Sequence, residues 1–191
     1  MNFCEDRFFS YDDFPTVAPW LTDETCRHLT EVGLFRPRIV QRETDPQIPC
    51  MYMYDLIALT AIQQILRCGI TVDQLRQALY TPASFRCDIF PEEDLIFLST
   101  GCLHGQELSR FLEVTNADVT ILVRVPLLRE PEIEIIPNEL LGSKDYRGET
   151  LTGVECKAIR DQIAANIASS ITPARAQRDI DAHQRGDNSP A

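Results

Sequence analysis

The chain has 191 residues, 44% hydrophobic and 25% charged, with 18 Lys+Arg against 29 Asp+Glu and a formal net charge of -11. That length allows one domain or two small ones around a real core. The charge excludes a protein that coats nucleic acid nonspecifically, because phosphate would repel it, and it excludes a polybasic membrane-surface protein. No stretch approaches the roughly 20 apolar residues of a membrane span. The start, Met1 to Arg7, has no positive residues followed by the apolar run of an export signal, so the expected location is cytoplasmic. Seven cysteines at 4, 26, 50, 68, 87, 102 and 156 form no Cys-x-x-Cys pair and read as reduced, mostly buried thiols. Cys87, Cys102 and His104 could supply metal ligands, but their spacing is loose and no metal is expected.

In chain order, residues 1–13 form an acidic, aromatic arm with Arg7 set against Glu5, Asp6, Asp12 and Asp13. Residues 14–82 follow as a nearly neutral unit. Thr16 to Leu21 is an apolar patch of helix length. Thr22-Asp23-Glu24 is then a helix start, with Thr as N-cap and acids beside the positive end of the dipole. The helix it opens should present Cys26, Leu29 and Val32 to the core and stop at Gly33. Two short helices joined by a tight turn make a helix-turn-helix. Phe35 to Val40, a polar stretch from Gln41 to Gln47, and Ile48 to Tyr54 predict a hairpin, or wing. From Asp55 the stripe Leu56, Leu59, Ile62, Ile65 and Leu66 predicts a helix ending at Gly69. Thr71-Val72-Asp73-Gln74 is a capping box that opens another helix with Val72, Leu75 and Leu79 inward.

Residues 83–172 read as a small α+β unit. Phe85 to Phe90, Leu95 to Ser99, Val119 to Val125 and Ile133 to Ile136 are β-prone, and Gln106 to Val114 is helical in pattern. Glu92, Glu93 and Asp94 are expected to be a solvated acidic turn, and Gly142 to Gly148 a loop. Ile159, Ile163, Ile167 and Ile171 recur every four residues and predict a long helix from about Leu151 to Ile171. That stripe would either pack on the small sheet or form a dimer seam. Residues 173–191 are a polar tail, expected to be disordered. The expected fold class is therefore α+β: an N-terminal winged helix-turn-helix, a small α/β region and a long C-terminal helix.

The charge is not spread evenly. The arm holds −3, residues 14–82 hold −1 and residues 83–191 hold −7. Residues 27–42 carry Arg27, Arg36, Arg38 and Arg42 against Glu31 alone, an island of +3. Charges more than about 8 Å apart are largely screened at physiological salt, so such an island acts locally whatever the total.

The stretch from Thr16 to Leu79 resembles the MerR family of winged helix-turn-helix regulators. One block is Thr25-Cys26-Arg27-His28-Leu29-Thr30-Glu31-Val32-Gly33-Leu34 followed by Phe35-Arg36-Pro37-Arg38. The family shows Thr-x-Arg-Tyr-Tyr-Glu-x-Ile-Gly-Leu there, then a Pro/Arg turn into the wing. The second block is Tyr54-Asp55-Leu56-Ile57-Ala58-Leu59, then Gly69-Ile70-Thr71-Val72-Asp73-Gln74-Leu75. The resemblance covers about a third of the chain and departs from the family at His28 and Leu29, where it has paired tyrosines, and at Tyr52, where its wing has an arginine. It implies DNA as partner. The helix carrying Thr25, Arg27 and His28 would enter the major groove, the wing with Arg36, Arg38 and Arg42 would follow phosphates, and the Tyr52 hydroxyl would bond another. It also implies a homodimer acting in transcription, with a protein partner or small-molecule effector, and no cofactor. The departures keep open an adaptor that binds protein instead. Motifs for catalysis are missing: the chain has no Gly-rich phosphate loop, no Gly-x-Ser-x-Gly and no His-Glu-x-x-His, so it is not expected to be an enzyme.

Overall fold

The structure is a computed structural model that describes residues 8–42, 45–80, 85–87, 105–125, 131–142 and 151–170. It is a mixture of helices and strands, in the α+β class. The expected acidic turn at 92–94, the β-prone run 95–99, the loop from 143 to 148 and the tail lie outside the described residues.

The first helix, α1, is Phe14–Val17, shorter than the expected patch from Thr16 to Leu21. Pro19 explains the difference. A residue before proline is driven out of the α region, and Ala18 sits at φ −145°, ψ 67°. Helix α2 is Asp23–Glu31, and its cap is the expected one: the Thr22 hydroxyl accepts the Thr25 N–H at 3.1 Å. Gly33 ends it at φ 74°, in the left-handed region that glycine enters without strain. Strands β1 (Arg38–Arg42) and β2 (Asp45–Cys50) then pair antiparallel, with Arg38 opposite Cys50 and Arg42 opposite Asp45.

The expected second strand ran to Tyr54, but helix α3 spans Met53–Arg67. Asp55 starts the helix early, because its carboxylate accepts the Tyr52 N–H at 2.8 Å. Helix α3 is buried almost all round from Met53 to Ile62, as befits the central element of a core. Gly69 closes it at φ 91°. Helix α4 is Val72–Tyr80, opened by the expected box: Gln74 N–H to Thr71 Oγ1 at 3.2 Å and Thr71 N–H to Gln74 Oε1 at 3.0 Å.

Beyond this lie β3 (Phe85–Cys87), α5 (Gly105–Val114), β4 (Val119–Arg124), β5 (Glu132–Pro137), β6 (Leu151–Glu155) and α6 (Cys156–Ser170). The sheet order is β3-β5-β4-β6, with β3 parallel to β5 and the other pairs antiparallel. The expected helix from Leu151 thus begins five residues late. Leu151-Thr152-Gly153-Val154-Glu155 pairs with β4 instead, with Gly153 opposite Leu122 and Glu155 opposite Thr120.

Ile159, Ile163 and Ile167 are buried inside the chain, where α6 packs on α3, α1 and β4. These three are therefore core packing rather than a dimer seam, and they meet helices as well as the sheet, while Ile171 lies outside the described residues. One hydrophobic cluster runs without a break from Phe9 through α3 to Ile167. Helix α3 is its hub, with α5 and α6 on its sides. Phe9, placed by its sequence in an acidic arm, belongs to this core: it is fully buried and exchanges two 2.8 Å backbone hydrogen bonds with Met51.

Candidate functional site

The first candidate residues stand on α2. Cys26 and Leu29 face inward and are buried, so Arg27 and His28 are turned to solvent, and Thr25 is half-buried at the start of the helix. The Thr25 and Thr22 hydroxyls lie 2.9 Å apart, which ties the Thr25 side chain to the cap. Arg27 reaches back one turn to Asp23 at 3.2 Å, with the two side chains 67% and 54% exposed. So open an ion pair holds weakly, and a stronger anion could displace it. Glu24 and Glu31 are exposed on the same helix. His28 has no side-chain partner among the described residues.

After Gly33 the chain folds back tightly. The Leu34 and Phe35 N–H groups both donate to the Leu29 carbonyl, at 2.9 and 3.1 Å, and both side chains are buried. Arg36 follows them outward. It is exposed and has no side-chain hydrogen bond or ion pair among the described residues. Its backbone is thus fixed by two buried anchors while its guanidinium stays available. Arg38 and Arg42 stand on β1; their side chains lie outside the described part of the structure.

Tyr52 is the N-cap residue of α3, directly after the hairpin. It is half-buried, and its ring lies on Phe8 with centroids 4.4 Å apart and planes tilted by 33°. Phe8 was not among the sequence candidates. The signal that could have found it is the Phe8-Phe9 pair, two adjacent aromatic residues in an acidic segment.

Burial controls the chemistry beneath α2. The Cys26 thiol is pushed up to about 12 by burial and by the nearby Asp23 charge. The Tyr11 hydroxyl is also raised, first by burial and then by Cys26, with Arg27 lowering it and Asp23 raising it. Neither group ionises near neutral pH, so the inner face of α2 offers no nucleophile. Among the described residues no group of three or more His, Cys, Asp or Glu stands together as a metal would need, and no helix is long and apolar enough to cross a membrane. Cys102 and His104 lie outside the described residues.

Three connections that the sequence did not announce hold these parts in place. Ser109 on α5 donates to Asp55 Oδ1 at 2.6 Å. Tyr54 donates its hydroxyl to Asn116 Oδ1 at 3.1 Å, and Arg160 on α6 donates to the Asn116 carbonyl at 2.7 Å. Arg76 on α4 donates to the Val32 carbonyl at the end of α2. Each joins residues at least 44 apart in sequence, beyond the reach of any local pattern. No protein-family model and no curated protein matches the chain.

Proposed function

We propose that the protein is a sequence-specific DNA-binding transcriptional regulator of MerR-like type. Helix α2 is its reading element and the β1–β2 hairpin its wing. The observation that carries this reading is the junction between them. A capped helix with Thr25, Arg27 and His28 on its outer side turns sharply at Gly33 into the hairpin, and an exposed Arg36, without a side-chain partner among the described residues, sits at the turn. In this reading Arg27 offers a planar fork of donors to guanine or phosphate, and Arg36, Arg38, Arg42 and Tyr52 hold phosphates on either side. The protein acts in the cytoplasm as a homodimer on paired half-sites. The unit built on the four-stranded sheet dimerises, senses an effector or contacts the transcription machinery. The acidity of residues 83–191 leaves one face for docking.

The experiment is selection of bound duplexes from a random pool, followed by mobility shift. An enriched motif is expected. Arg27→Ala should abolish the preference, and Arg36→Ala should weaken binding evenly across sequences and flatten the salt slope by about one unit. Failure to enrich any sequence, with Arg27→Ala behaving as wild type, refutes the reading.

A second reading, a protein-binding adaptor on the same framework, is favoured by one observation: α2 exposes Asp23, Glu24 and Glu31 beside a partly neutralised Arg27. A defined protein bound in fixed stoichiometry and lost in Glu24→Lys, together with failed DNA selection, would favour it.

A further inference from the structure

We infer that Arg76, which no sequence motif marks, is the positioning residue that sets the presentation of α2 to its ligand; the inference rests on the DNA-binding reading above. Helix α2 has nine residues, fewer than an isolated helix needs to persist in water. Only Cys26 and Leu29 along it are buried, so few contacts decide how it sits.

Its last turn is closed locally. The Val32 N–H donates to His28, the Gly33 N–H to Thr30, and the Leu34 and Phe35 N–H groups to Leu29. The Val32 carbonyl, at the C-cap, is the group taken by a distant side chain. Arg76 supplies one guanidinium nitrogen to it and the other to Asp73 at 3.0 Å. The bond is charge-assisted and places a cation at the negative end of the helix dipole.

Helix α4 is itself anchored, because Leu75, next to Arg76, is fully buried. Helix α4 thus holds, through Arg76, the end of α2 from which the chain turns to Arg36. The Arg76 side chain is 39% exposed, so it remains replaceable without opening the core. Arg76 touches no ligand in this arrangement. It acts through the geometry of Arg27, His28 and Arg36.

The test uses the full chain and the duplex pool enriched by wild type. Arg76→Ala should weaken binding about tenfold, the loss expected when one charge-assisted hydrogen bond no longer favours the competent orientation. Its salt slope should equal that of wild type, because no phosphate contact is lost. Arg76→Lys should recover part of the affinity, since an ammonium can donate to the same carbonyl. Amide exchange over residues 29–36 should accelerate in Arg76→Ala while that of α3 stays unchanged, which shows that the chain still folds.

A slope flattened by about one unit would make Arg76 a direct phosphate contact and overturn the proposal. Unchanged exchange over residues 29–36 would overturn it too. If wild type enriches no duplex, the DNA reading fails, and the inference about presentation to DNA fails with it. If wild type enriches a motif and Arg76→Ala binds it equally well, this inference alone fails.

Discussion

Ser109 donates its hydroxyl to the Asp55 carboxylate at 2.6 Å, and both residues are 1% exposed. Asp55 also receives the Tyr52 N–H through its other oxygen, at 2.8 Å. One carboxylate thus caps the central helix and fastens α5 to it, just where the hairpin enters the core. A buried charge is tolerable only when its lone pairs are occupied, and here they are occupied by groups from both ends of the architecture.

Removing the Ser109 hydroxyl should therefore cost more than an ordinary side-chain hydrogen bond. Ser109→Ala is expected to lower unfolding stability by about 1–3 kcal/mol, the penalty for leaving a buried charged acceptor short of a donor. Urea unfolding at neutral pH measures it, and the midpoint should fall with no change in slope. An unchanged midpoint would mean that water replaces the hydroxyl.

The isoleucine stripe on α6 leads to a different measurement. Ile163 is fully buried against the rest of its own chain, so Ile163→Ala should cost about 2–5 kcal/mol by opening a cavity. Its sedimentation at matched folded concentration should equal that of wild type. A change of mass would place the stripe between subunits instead.

The pairing of Arg27 with Asp23 implies that α2 restrains its own main cation. Asp23→Asn removes the partner and a negative charge facing the proposed ligand. It should tighten binding of the enriched duplex by about two- to fivefold, in line with the modest worth of an exposed ion pair. Salt titration of wild type and variant checks this, and the gain should shrink as salt rises. Weaker binding by Asp23→Asn would show that the acid serves the interface.

Two thiols make a prediction for alkaline pH. Burial pushes Cys156 up to about 12, and burial with the Asp23 charge does the same for Cys26. Unfolded thiols ionise near 8.5, so above that pH the unfolded state holds fewer protons than the folded one. Stability should be unaffected by these groups at neutral pH and should fall as pH rises from about 9 toward 12. The slope approaches about 1.4 kcal/mol per pH unit for each thiol. Urea unfolding of wild type and Cys156→Ala from pH 7 to 10.5 tests this, and the stability gap between them should narrow above pH 9.

Much of the first half was legible because its signals are short-ranged. Thr22, Gly33, Gly69 and the Thr71–Gln74 pair act within one helical turn, and they cap or end helices where their sequence places them. The misread boundaries share a different cause. Tyr52 to Tyr54 is β-prone and leads into α3 because Asp55 accepts a backbone N–H three residues back. Leu151 to Glu155 sits ahead of a helical pattern and becomes a strand because β4 offers it an edge. Val119 to Arg124 alternates as a half-buried strand would, yet Thr120 and Leu122 are buried too, and the Thr120 hydroxyl donates to Asn138 at 2.7 Å.

The sequence by itself determined the capped starts of α2 and α4 and the glycine ends of α2 and α3, that Arg27, Arg36, Arg38 and Arg42 form a basic island, and that Thr25, Arg27 and His28 share a capped helix. Those properties depend on neighbours within a few residues. Only the tertiary structure decided that Phe9 belongs to the core, that the α6 isoleucines face their own chain, and that Asp55 meets Ser109 while Arg76 meets Val32. Such contacts are chosen by the packing of a single hydrophobic cluster, which selects among many pairings that the chain permits locally. The folded chain therefore adds to the capped helix α2 the distant residue that grips its end.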